Sequence, residues 1–86
     1  MADVKALRRE IDGIDEQIVR FLADRARVCV AIGSAKKTNG LPVHDAQRES
    51  EVYARVRKLA AKLSLDPVQV EQIYREIVNM CSSVQE

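Results

Sequence analysis

The sequence predicts an all-α fold with three helices per chain, one long and two shorter. Three observations carry that expectation. Apolar residues recur every three or four positions over most of the chain. Only three Gly and two Pro punctuate 86 residues, and both Pro fall between the periodic stretches. Ala, Leu, Glu, Lys and Arg dominate, and these favour helix. With 47% apolar and 31% charged residues the composition is that of a folded chain, and its length fits one domain, residues 1–86.

The first helix is expected from Asp3 to about Asn39. Its apolar positions are Leu7, Ile11, Ile14, Ile18, Phe21/Leu22, Val28/Cys29 and Ile32, an amphipathic spacing. Asp3 suits an N-cap, and Asn39-Gly40 followed by Pro42 is a stop. Gly13 and Gly33 each cost about 1 kcal/mol of helix propensity inside this stretch, but neither comes with a Pro or a polar cluster. The second helix is expected to start at Asp45 as N-cap and run to about Leu63, with Val52, Val56, Leu59, Ala60 and Leu63 inward. Ser64-Leu65-Asp66-Pro67 then reads as a start signal, with Asp66 at N-cap and Pro67 at N1. The third helix follows to about Val84, with Val70, Ile73, Ile77, Met80/Cys81 and Val84 inward.

Length then argues for a partner. A first helix of about 36 residues is roughly 54 Å long, whereas a compact chain of this size has a radius of gyration near 12 Å. The apolar stripe runs almost the full helix, so something beyond the compact chain must cover it. A second copy does so most economically, giving an intertwined homodimeric helical bundle.

Several function classes lose support. The net charge is +1, which points to neither nucleic acid nor an acidic membrane. No apolar run reaches membrane-spanning length, and MADVKALRREID lacks the apolar segment of a leader. Cys29 and Cys81 are too few and too far apart in sequence for a zinc site or a disulfide framework, so both are expected as reduced thiols in a cytoplasmic protein. His44, the single histidine, has no Ser or Cys at a meaningful spacing, and no metal ligand set accompanies it.

Charges on the inward stripes are the anomaly. Arg25 and Lys36 occupy slots of the first helix where apolar residues are expected. They lie 11 residues apart, hence about 20° apart around the axis and about 16 Å along it. Asp45, Arg48 and Glu49 open the stripe of the second helix, and Gln85 lies one turn beyond Cys81 on the third. Buried charge is costly unless paired or bound to a ligand. Arg25, Lys36 and Arg48 outnumber Asp45 and Glu49, so the shared cavity suits a small carboxylate-bearing anion. Taken singly, each has an ordinary reading: a snorkelling cation, or an N-cap with a surface i, i+4 pair.

LRREIDGIDEQIVRFLADR (7–25), IGSAKK (32–37) and PVHDAQRE (42–49) together resemble the all-helical AroQ class of chorismate mutase over essentially the whole chain. The resemblance implies two interlocked chains with two equivalent sites, each built from all three helices plus one arginine of the partner's first helix. By position that arginine is Arg8; it precedes Arg25 by 17 residues and sits about 100° away around the helix, so one chain cannot readily aim both at one cavity. Arg25, Lys36, Asp45, Arg48, Glu49 and Gln85 match the other site positions. Cys81 stands where relatives often carry a small hydroxyl residue, which departs from the pattern.

The implied reaction is the pericyclic rearrangement of chorismate to prephenate, an isomerisation on the shikimate route to phenylalanine and tyrosine. It requires no metal, cofactor or nucleophile. The substrate is a dianion held in a folded conformer, with donors aimed at the charge that develops as the ether bond breaks. On this resemblance Arg8 and Arg25 take the carboxylates, Lys36 and Gln85 the ether oxygen, and Glu49 with the Asp45/Arg48 turn the ring hydroxyl. Two rivals remain: an isochorismate pyruvate lyase on the same scaffold, against which PVHDAQRE speaks, and a non-catalytic helical interaction module.

Overall fold

The computed structural model describes residues 3–85, in which three helices follow one another: α1 (Val4–Thr38), α2 (Ala46–Lys62) and α3 (Pro67–Gln85). Each starts on an aspartate whose carboxylate accepts backbone N–H groups left without helical partners. Asp3 accepts from Lys5 N at 3.0 Å, Asp45 from Arg48 N at 3.0 Å, and Asp66 from Val68 N at 2.9 Å. The first two helices end alike. Leu41 N donates to Lys36 O and Gly40 N to Lys37 O after α1; Leu65 N donates to Ala60 O and Ser64 N to Ala61 O after α2. This paired closure needs a left-handed residue just past the cap. Gly40 fills that position at φ +66° and Ser64 at φ +62°.

α3 packs against both α1 and α2, whose backbones do not approach one another. The α2–α3 seam holds a small core of Val52, Val56 and Val78, flanked by Tyr53, Val70 and Tyr74. Glu71 of α3 adds an ion pair with Arg57 of α2 and another with Arg75 of its own helix, and Arg75 lies 4.6 Å over the Tyr53 ring. Two helices of one chain cannot cover wide stripes, and here the expected inward sets contract. Leu59 of α2, Leu63 at its C-cap, and Ile73, Met80 and Val84 of α3 are exposed. On α3 the buried positions are Val78 and Gln85 instead, because this face must meet α1 and α2 together.

α1 is the open part of the fold. Only Cys29 and Gly33 of its 35 residues are buried; Leu7, Ile11, Ile14, Ile18, Phe21 and Val28 all face outward. The molecule measures 59 × 23 × 15 Å, with a radius of gyration of 16.2 Å against about 12 Å for a compact chain of this length. No helix of the described residues is long and apolar enough to cross a membrane.

One expectation is overturned. Cys29 and Cys81 are not two free thiols: they form a disulfide, with Cα atoms 5.4 Å apart, within normal bridging range. Their separation of 52 residues hides the fact that α1 and α3 cross there. The two thiols therefore give no argument for a reducing compartment.

Candidate active site

A cavity of about 370 Å³ opens where the C-terminal half of α1, the start of α2 and the end of α3 converge. Arg25, Lys36, Asp45, Arg48, Glu49, Cys81 and Gln85 all line it; Arg8, on the exposed N-terminal half of α1, does not. Val28, Ile32, Val52 and Val78 supply the apolar wall. A polar mouth over an apolar floor is the usual character of a small-molecule site.

Lys36 and Gln85 make the tightest arrangement. Lys36 Nζ donates to Val43 O at 2.6 Å and to Gln85 Oε1 at 2.8 Å. An ammonium has three N–H groups and no acceptor, so the amide oxygen must face it, and one ammonium N–H is left over. The Gln85 Nε2 group, turned the other way, meets only Cys81 Sγ among the described residues, at 3.2 Å. Sulfur is a weak acceptor, so this amide also keeps donor capacity. The pair thus keeps donor capacity on both groups, one charged and one neutral, in the wall of the cavity. Gln85 is itself buried, at 7% exposure, which fixes its direction.

The other charges differ in commitment. Arg25 is half-buried, and among the described residues its one hydrogen bond is Nη1 to Cys29 Sγ at 3.8 Å, too weak to satisfy a guanidinium. Arg48 pairs with Glu51 rather than with Glu49, at 3.6 Å between two well-exposed side chains; such a pair contributes little and yields readily to a ligand. Glu49 is half-buried and makes no ion pair among the described residues. The Asp45 carboxylate is engaged at the start of α2, so its first effect is to set the direction of that helix.

Two contributors carried little signal in the sequence. The Val43 carbonyl orients Lys36 through the backbone, which no side-chain pattern reveals. Gly33 is the second: a Cβ there would lie 3.0 Å from Gln85 Cα and 3.1 Å from its Cβ and Cγ. Glycine lets α3 sit this close without displacing Gln85, whose backbone a Cβ would push by a few tenths of an ångström, and its sole trace was a glycine inside a helical pattern.

Residues 7–86 match the family described as chorismate mutase type II. The chain belongs to that family. Relatives include the bifunctional chorismate mutase/prephenate dehydratase of Aquifex aeolicus, 38% identical over 88 residues that cover 99% of this chain and 24% of that protein. The chorismate mutase of Methanocaldococcus jannaschii is 33% identical over 60 residues, covering 70% of this chain and 61% of that one. The chain therefore spans from about a quarter to under two thirds of these relatives. Among solved structures, a conserved hypothetical protein from Pyrococcus furiosus superposes with a TM-score of 0.76 at 35% identity, covering 96% of this chain and 95% of that one.

Proposed function

We propose that this type II chorismate mutase domain converts chorismate to prephenate by electrostatic preorganisation, without a covalent intermediate. The observation that carries the reading is the Lys36–Gln85 pair, which lines one cavity with Arg25 and Arg48 and keeps donor capacity there. A pericyclic step moves no proton and needs no nucleophile. What lowers its barrier is holding the reacting carbons in contact and stabilising the ether oxygen as negative charge builds there. Lys36 and Gln85 are the donors for that oxygen. Arg25 takes one carboxylate, Glu49 the ring hydroxyl, and Arg48, directed by the Asp45 cap, adds positive potential at the mouth. Cys81 shapes the wall as a disulfide sulfur and offers no hydroxyl.

The second carboxylate is assigned to Arg8 of another copy in a homodimer. A monomer of 9.7 kDa exposes about 5,100 Å², and this chain exposes 6933 Å². The excess is of the size one subunit buries in an obligate dimer, and the wet stripe of α1 is where it lies. Antiparallel pairing of two α1 helices about their midpoint, residue 21 between Val4 and Thr38, sets residue 8 of one chain level with residue 34 of the other. That level lies between Ile32 and Lys36, at the cavity.

The test is incubation of the purified protein with chorismate and, separately, isochorismate, with products identified by chromatography. Prephenate from chorismate is the expected result. Pyruvate and salicylate from isochorismate would instead make it a lyase, and no turnover of either would leave a binding module.

A further inference from the structure

The two seams that bound the cavity are held by different means. α2 and α3 share packed valines and the Glu71–Arg57 ion pair. α1 brings to α3 near the site only a cysteine and a glycine as buried residues. Its nearby large apolar side chains, Val28 and Ile32, remain exposed. Within one chain, the apolar burial that α1 contributes beside the site is therefore small, and stabilisation scales with buried area. Yet the site needs the two helices in register: Arg25 and Lys36 stand on α1, Gln85 on α3, and a misplacement of about 1 Å costs a positioned reaction up to 10²-fold.

We propose that the Cys29–Cys81 disulfide is a positioning strut for the site. It joins α1 to α3 one turn from Arg25 and one turn from Gln85, since both cysteines sit four residues from those side chains. Each sulfur also touches the side chain one turn away: Cys29 Sγ lies 3.8 Å from Arg25 Nη1, and Cys81 Sγ lies 3.2 Å from Gln85 Nε2. The bond therefore holds the backbones together, and the sulfurs limit where the two N–H-bearing groups can turn. Both cysteines line the cavity wall, so the strut belongs to the site and not to a distant part of the fold. Its kinetic consequence rests on the mutase reading above; its effect on Gln85 does not.

The test compares the oxidised protein, the same protein treated with a phosphine reductant, and the Cys29→Ala/Cys81→Ala double variant. Reduction breaks the S–S bond, with two electrons from the phosphine and two protons from water leaving two thiols; alkylation followed by intact mass counts them. The expected result is a fall in kcat of about tenfold on reduction, with a smaller change in KM, well below the unfolding temperature. Hydrogen exchange in the last turn of α3 should speed up in parallel. The double variant should match the reduced protein; should it fail to fold, the reduced protein carries the comparison. Two alkylatable thiols in the untreated protein would overturn the proposal. So would equal kcat and equal exchange in oxidised and reduced forms, even if the melting temperature fell, because that is the signature of a bond that only stabilises. If the oxidised protein leaves chorismate unchanged, the mutase reading fails, and faster exchange at Gln85 on reduction still supports the strut while unchanged exchange overturns it.

Discussion

At the scale of single residues, the proposed site rests on donors left with weak or incomplete partners among the described residues. Among the described residues Arg25 hydrogen-bonds only to sulfur, and Lys36 keeps one N–H beyond those to Val43 O and Gln85 Oε1. Arg25→Ala and Lys36→Ala should each lower kcat/KM by about 10²–10³, measured by chorismate consumption, with helical content unchanged by circular dichroism. Gln85→Glu gives a sharper result. The variant keeps the shape but replaces the Nε2 donor with an oxygen that donates only when protonated. Its rate should be low at neutral pH and climb as the pH falls into the carboxylate range, whereas the wild type shows no such climb. These residues were legible in the sequence because charge on an apolar stripe is conspicuous. The identity of their partners was not: the structure pairs Arg48 with Glu51, one turn on and outside the expected site set. The Cys29–Cys81 bond was hidden for the same reason, since sequence separation carries no information about which helix faces meet.

At the scale of elements, starts and stops were legible almost to the residue, because aspartate caps, Pro67 and Asn39-Gly40 act locally. Burial was less so: Leu59 and Ile73 match the period of a core stripe, but what they face depends on which helices pack there. Gly33 shows the cost of reading propensity alone. Gly33→Ala favours the helix by about 1 kcal/mol, but the added Cβ meets the backbone of Gln85, which has no free rotation to yield. Expected is a drop in kcat of about tenfold despite the better helix former. Gly13→Ala, in open space within this chain, should show the propensity gain in its melting temperature with kcat unchanged. The α2–α3 seam makes a pH prediction. Glu71 is held below the ordinary carboxylate value, first by its hydrogen bond to Arg75 and then by Arg57, against an opposing desolvation. A lowered folded value stabilises fully above Glu71's unfolded value of about 4.3, and that contribution is lost as pH falls through the lower value in the fold. The melting-temperature gap between wild type and Glu71→Gln should therefore hold steady near neutrality and close in acid.

At the scale of the whole molecule, the uncovered stripe of α1 and the absence of Arg8 from its own chain's cavity are two sides of one argument. If one copy completes the other's site, the two arginines of a given site come from different chains. Arg8→Ala and Arg25→Ala homodimers should then both be nearly inactive, and for different reasons: each site in the first lacks the visiting arginine, and each site in the second lacks the resident one. Mixing the two proteins under conditions where subunits exchange changes the outcome. Half the dimers become mixed. In each of these, one site has the resident Arg25 of the first chain and the visiting Arg8 of the second, and so is intact; the other site has neither. An equal mixture should therefore recover about one quarter of wild-type activity per chain, because closed two-fold pairing gives each dimer two equivalent sites. If both arginines served a site within one chain, no mixed dimer would contain an intact site and mixing would recover nothing. Measuring activity against mixing ratio, with dimer mass followed by sedimentation, distinguishes the two, and the recovery should peak at equal proportions.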